Sequence, residues 1–240
     1  MSPIFSPHRP PARAVDSDTK QRLLDAAEIL LAQRGVTGLS LREVTRFAGA
    51  SVSAAHYHFG SKDALLLAAL LRRIEPVNRR RLALLAQGEC RAAPAAPALE
   101  AVLEAFFRPV FETRTGGRSG VDRAHERRLL ACLYDMPLER ATTLHRQLFG
   151  EVVDRFTRAL SRALPGVPAE RVGLAMQCAI GAMVRLISGP LELHPADAPA
   201  GESRGLLLDD ASTLRALVSF SAAGMRAVLR PGGDAEAEQV

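Results

Sequence analysis

At 240 residues, 48% of them hydrophobic and none Trp, the chain has material for one large domain or a small domain joined to a larger one. A net charge of +5 and a pI near 9.7 allow a polyanionic partner. Cys90, Cys132 and Cys178 are scattered, with no C-x-x-C pair, which argues against a disulfide framework and a structural zinc site and for a reducing compartment.

The opening "MSPIFSPHRPPARAV" mixes prolines and arginines without the apolar stretch of a signal peptide, so residues 1–15 read as a disordered, mildly basic tail. Asp16 or Ser17 can then cap a first helix carrying Leu23, Leu24, Ala27, Ile29, Leu30 and Leu31, with Gly35 at its end. Ser40 and Glu43 fit the capping box of a short second helix, in which each side chain satisfies a free backbone donor, and Gly49 stops it. Ser51 caps a third helix that ends at Gly60. Ser61 caps a fourth, with Asp63 in its first turn where the dipole favours negative charge. Glu75-Pro76 reads as a break, because proline disfavours helical geometry in the residue before it.

Further helices are expected at about 77–88, 98–113, 121–135 and 138–163, separated by "AAPAAP", "TGGRSG" and "DMP". Two strongly apolar helices, at about 169–188 and 208–229, flank a Pro-rich loop, and residues 231–240 form an acidic tail. With no strand alternation, the fold class is all-α with about ten helices. An N-terminal unit at residues 16–62 precedes a larger helical domain at 63–230. The longest apolar run, residues 64–71, falls far short of the roughly 20 needed to span a bilayer. A soluble, cytoplasmic protein with no membrane partner is expected.

Helix, short helix, Gly-containing turn and short helix form the pattern of a helix-turn-helix. Leu39, Val44, Ala48, Ala55 and Phe59 are placed to fill the core beneath the turn "AGAS". On the third helix, Ala55 and Phe59 share the inward face, while Ser53 with Tyr57 and Ala54 with His58 point away from it. His56 and His58 invite a metal reading, but residues two apart on a helix diverge by roughly 160°, which separates the rings. No neighbouring constellation suggests an activated nucleophile. The plainer alternative is that Tyr57 and His58 simply pack against other helices. Lys62, at the start of the fourth helix beside free backbone N–H groups, suits a phosphate.

"LREVTRFAGASVSAAHYHFGSKDALLLAAL", with the preceding "RLLDAAEILLAQRGVTGLS", resembles the DNA-binding signature of TetR-family transcriptional regulators over about residues 19–70. The resemblance implies that Ser40 and Arg42 contact the DNA backbone or a base, that Val52, Ser53, Ala54, His56, Tyr57 and His58 lie on the recognition helix, and that Lys62 meets a phosphate. Thr45, Phe47 and Ala50 depart from the usual pattern, and Phe47 is expected to pack on the tail or the first helix. "AAHYHFGSK" with "RRIEPVNRRRLALL" is also similar to the branch containing a fatty-acid-metabolism regulator, although Ser51 and His56 replace that branch's usual Asn.

The same resemblance implies that the remaining chain binds an effector and dimerises. Helices at 169–188 and 208–229, both mixing large and small apolar residues, can pair across a two-fold axis; the alternative is an ordinary buried core. Pocket candidates are Phe106, Phe107, Phe111, Tyr134, Met136, Phe149, Met176 and Met183, with Arg127, Arg128 and His145 as anchors for an acidic head group, a fatty acyl compound or another hydrophobic acid. The plainer reading makes most of these residues core. "RRIEPVNRRR" reads as a solvated helix face rather than an anion site. The chain is expected to be a non-enzymatic, cofactor-free regulator, most simply a ligand-released repressor binding a near-palindromic operator as a homodimer. An activator, or a carrier or enzyme with an incidental helix-turn-helix, is the alternative.

Overall fold

The computed structural model describes residues 12–35, 38–112, 128–130, 138–188 and 209–228; the side chains of 12–16, 138–145 and 228 lie outside the description. All regular structure among the described residues is helical. The bounded helices are α1 (Ala12–Arg34), α2 (Leu41–Phe47), α3 (Val52–Phe59), α4 (Lys62–Ala92), α5 (Leu99–Glu112), α6 (Leu138–Ala163), α7 (Ala169–Ile187) and α8 (Asp210–Val228). Residues 128–130 are helical too, within the expected 121–135 segment whose remainder lies outside the described residues.

The chain divides into two compact units, Met1–Arg72 and Arg73–Val240. In the first, α1, α2 and α3 pack on one another. Leu23, Ala27 and Leu31 of α1 meet a core that includes Leu39, Val44, Ala48 and Ala55, all buried as their spacing predicts. Phe59 is only half-buried, with the Lys20 ammonium 6.0 Å from its ring centre. Thr45, unusual for a core position, is buried and donates its hydroxyl to the Arg42 carbonyl at 3.1 Å, so its polar atom is satisfied inside its own helix.

α1 begins earlier than expected. It starts at Ala12, so Asp16 and Ser17 lie inside it rather than at its cap. Ala12, Arg13 and Ala14 include good helix formers, which favours a helix already at Ala12.

In the second unit α5 packs on α8 and α6, and α7 packs on α6 and α8. Phe106 stands edge-on to Phe107 and Phe156, with ring centres 5.6 and 5.2 Å apart. The expected break at Glu75-Pro76 is absent, because α4 runs through Pro76 without ending. The preference of a pre-proline residue is modest, whereas Leu70, Ile74, Val77, Arg81 and Leu85 all bury their side chains on this helix. "RRIEPVNRRR" is a solvated face only in part, since Glu75, Pro76, Arg79 and Arg80 are exposed while Ile74, Val77, Asn78 and Arg81 are buried. Arg81 is fully buried, Arg72 pairs with Asp25 and Glu28, and Arg80 pairs with Glu112; Arg79 remains exposed.

Candidate nucleic-acid interface

The turn between α2 and α3 is built from both sides. Ser40 accepts from the Glu43 N–H at 3.2 Å, while the Glu43 carboxylate accepts from the Ser40 N–H at 3.0 Å and its hydroxyl at 2.8 Å. Arg34 adds an ion pair to Glu43 at 2.9 Å, tying the end of α1 to the start of α2. The Ser40 hydrogen bonds, then Arg34, hold the Glu43 carboxyl below the ordinary glutamate value. At the other end of α2, Arg22 donates to the carbonyls of Ala48 and Gly49 at 3.1 and 3.2 Å. Gly49 adopts φ 59°, the left-handed conformation that glycine tolerates best. The Arg22 clamp was not legible, since nothing in the α1 sequence says which carbonyls its guanidinium will meet.

α3 is capped at both ends. Ser51 accepts from the Ala54 N–H at 3.0 Å, and Gly60 closes the helix at φ 75° with its N–H donating to the His56 carbonyl at 2.8 Å. Ser61 caps α4 by accepting from Ala64 at 3.1 Å, which sets Lys62 in the first turn.

The exposed residues of α3 fall on one stripe. Val52, Ser53, His56 and Tyr57 are exposed, Tyr57 at 78%, and Ala55 is the buried counterface. Ala54 and His58, expected to point outward, are only half-exposed; His58 sits edge-on to Tyr57 and Phe59 with ring centres 5.2 and 6.2 Å away. His56 takes the outward place instead, its Nδ1 2.9 Å from the Gly60 carbonyl oxygen. The two histidines thus occupy different surroundings. Arg42 is exposed and Lys62 half-buried. Ser40 is exposed, although its hydroxyl is engaged twice with Glu43. Phe47 does not pack away: it is 55% exposed, because α2 turns its opposite face, Val44 and Thr45, to the core.

This N-terminal unit, residues 23–69, matches the family model described as bacterial regulatory proteins, tetR family. Residues 104–224, just over half of the chain, match the tetracyclin repressor-like C-terminal domain. The chain belongs to the TetR family. It is a DNA-binding transcriptional regulator, of a family of regulators rather than enzymes. Among solved structures, the regulator shares its fold with a TetR family transcription regulator from Marinobacter aquaeolei (15% identity, 88% of this chain and 97% of that one, TM-score 0.54). It is also similar to a TetR-like transcriptional regulator from a Rhodococcus species (18% identity, 91% and 99%, TM-score 0.52). A third is the fatty acid degradation regulator FadR of Bacillus halodurans (14% identity, 87% and 96%, TM-score 0.52). No curated protein matches the sequence.

In the regulator's second unit, Phe106, Phe107, Phe149 and Met183 are buried, Phe111 and Met176 are half-buried, and Arg128 is exposed. Arg127, Tyr134 and Met136, and the side chain of His145, lie outside the described residues. Arg81 joins this cluster unforeseen: it donates to the Phe106 carbonyl at 2.8 Å and to Asn78 Oδ1 at 3.2 Å, with its guanidinium 4.0 Å from the centre of the Phe106 ring. Of α7, Val172, Ala175, Ala179, Met183 and Ile187 are buried within the chain, leaving Leu174 and Leu186 exposed. On α8 Phe220 is 69% exposed. No helix among the described residues is long and apolar enough to cross a membrane.

Proposed function

We propose that the regulator is a cytoplasmic repressor that binds a near-palindromic operator as a homodimer and leaves it when a small hydrophobic acid binds. Residues 16–62 read DNA. Val52, Ser53, Ala54, His56, Tyr57 and His58 lie in the major groove, Ser40 and Arg42 meet the edge of the site, and Lys62 holds a phosphate. The observation that carries this reading is the exposed stripe of α3, on a helix capped by Ser51 and Gly60 and therefore short enough to enter a groove end-on. Two such helices in successive grooves require half-sites about 34–36 Å apart.

Residues 63–230 pair and hold the effector. The exposed Leu174, Leu186 and Phe220 support pairing through α7 and α8, since large apolar side chains left in water favour association. Phe106, Phe107, Phe111, Phe149, Met176 and Met183 line the effector site; Tyr134, Arg127 and His145 remain candidates whose side chains lie outside the described residues. The fold shared with a fatty acid degradation regulator makes acyl compounds the first effectors to test. Release follows when the effector prefers a dimer whose reading heads are wrongly spaced.

The test is a footprint of the full chain on its own upstream region, repeated with Tyr57→Ala and Lys62→Ala. Both should weaken protection; unchanged protection by both folded variants rejects this surface. Thermal-shift measurements with fatty acyl compounds and aromatic acids address the effector, and stabilisation by none of them removes that class.

A further inference from the structure

His56 and Gly60 are joined by two hydrogen bonds running in opposite directions. The Gly60 N–H donates to the His56 carbonyl at 2.8 Å, and His56 Nδ1 lies 2.9 Å from the Gly60 carbonyl oxygen. Gly60 leaves the helix at φ 75° and ψ −46°, a conformation that any side chain would strain, so this pairing is built into the C-terminal cap of α3. A carbonyl oxygen can only accept. Nδ1 therefore carries a hydrogen in either charge state of the ring, and in the neutral ring the lone pair belongs to Nε2. No group among the described residues bonds Nε2, and the side chain is exposed on the same stripe as Val52, Ser53 and Tyr57.

We propose that His56 is a specificity-determining residue that accepts a hydrogen bond, through Nε2, from the exocyclic amino group of one base: N6 of adenine or N4 of cytosine. The inference rests on α3 being the recognition helix. In the major groove these amino groups are the only base-edge donors, whereas guanine N7 and O6, adenine N7 and thymine O4 are acceptors that would face the Nε2 lone pair unfavourably. A histidine free to choose its tautomer can serve as donor or acceptor. The Gly60 carbonyl removes that choice, so the helix cap selects which half of the base-pair edge this position reads. His58 has a different role, because its ring is half-buried between Tyr57 and Phe59.

The experiment uses the full chain and duplexes selected from a randomised pool at about pH 8, above the ordinary imidazole range. His56→Ala should flatten the preference at one base pair of each half-site and leave the others intact. At that pair, replacing adenine by purine, or cytosine by 2-pyrimidinone, deletes the amino group; replacing the purine by its 7-deaza analogue deletes an acceptor. Amino deletion should weaken the wild type about fivefold and leave His56→Ala unchanged, and the 7-deaza change should affect neither. Loss of wild-type affinity on the 7-deaza change but not on amino deletion makes Nε2 a donor and overturns the proposal. So does selection in which no pair depends on His56. If the wild type enriches no sequence, the recognition-helix reading falls with it. His56→Leu, similar in bulk, provides the same comparison should the alanine variant fail to fold.

Discussion

Arg72 Nε donates to Glu28 Oε1 at 2.5 Å, and the Glu28 side chain on α1 is almost wholly buried at 4% exposure. The same guanidinium reaches Asp25 at 2.6 Å and Gln21 at 2.9 Å, so one residue of α4 fastens two turns of α1. Burial works against the charge of Arg72, but the hydrogen bonds it donates to Glu28 and Asp25 outweigh it and raise its pKa. Removing one member of a buried pair leaves a costly charge behind, on the order of 3 kcal/mol. Arg72→Met should therefore destabilise the full chain by about 2–3 kcal/mol in urea unfolding. Asp25→Asn, at the half-exposed end of the network, should cost under about 1 kcal/mol. Arg72→Met combined with Glu28→Leu should recover part of the loss; a double variant no better than Arg72→Met would mean that Glu28 is held chiefly by other groups.

Arg81 makes a second strong prediction. Its fork spans a carbonyl, an amide oxygen and an aromatic face, which no ammonium can reproduce. Arg81→Lys should lose about 2 kcal/mol, and Arg81→Ala 3 kcal/mol or roughly more, because the cavity adds to the lost bonds. Retention of wild-type stability by Arg81→Ala would show that the buried guanidinium is not structural.

The pH dependence follows from the capping box. Glu43 has its folded pKa below the ordinary 4.5, first through the Ser40 hydroxyl, then the Ser40 N–H and Arg34. A depressed value means that the carboxylate contributes stability above the ordinary value, and that this contribution is lost as pH falls through the lower, folded one. Glu43→Gln should be less stable than wild type at neutral pH, with the difference closing on acidification. Acid titration of both proteins by circular dichroism checks this, and a constant gap across the range would exclude the ionised cap as its source.

The local devices of the interface were readable in advance, and the long-range ones were not. Ser40 with Glu43, Ser51, Ser61, Gly35 and Gly60 each act on backbone within four residues, so a sequence window contains both partners. Arg22 on Ala48 and Gly49, and Arg72 on Glu28, join residues 26, 27 and 44 positions apart, which no local pattern encodes. The exchange of His56 for His58 on the outward stripe has the same origin. Pairing residues four apart set Ala54 and His58 outward beside Ser53 and Tyr57, and only the packing of α3 on α1 and α2 turns Val52 and His56 outward instead. The charge of "RRIEPVNRRR" suggested water, but burial of Arg81 depends on Phe106 and Asn78 supplying acceptors in the core.

Lys62 allows a test that separates phosphate contacts from base contacts. On the proposed reading, Lys62→Ala should weaken binding by a similar factor on every operator sequence and reduce the slope of log affinity against log salt by about 1. Tyr57→Ala should change the slope little while lowering affinity for the selected operator more than for unrelated DNA. Titrations at several salt concentrations distinguish the two. A salt slope unchanged by Lys62→Ala would remove this lysine from the phosphate contacts.

Pro76 offers a change that should stabilise. It lies inside α4, exposed, and has no N–H to return to the Arg72 carbonyl one turn earlier. An interior proline disfavours a helix by about 3 kcal/mol relative to alanine, yet it also restricts the unfolded chain, which offsets about 0.4–1 kcal/mol. Helices accommodate an interior proline by local adjustment, which relieves part of the remainder. Pro76→Ala should accordingly raise stability by about 1–2 kcal/mol, seen as a higher Tm of the full chain. The same substitution restores a backbone N–H inside α4, so the footprint should be repeated with and without an effector found by thermal shift. Unaltered release together with a higher Tm would assign Pro76 to helix stability alone. Weakened release would mean that Pro76 takes part in the response. A lower Tm would show that the proline is favoured by its surroundings.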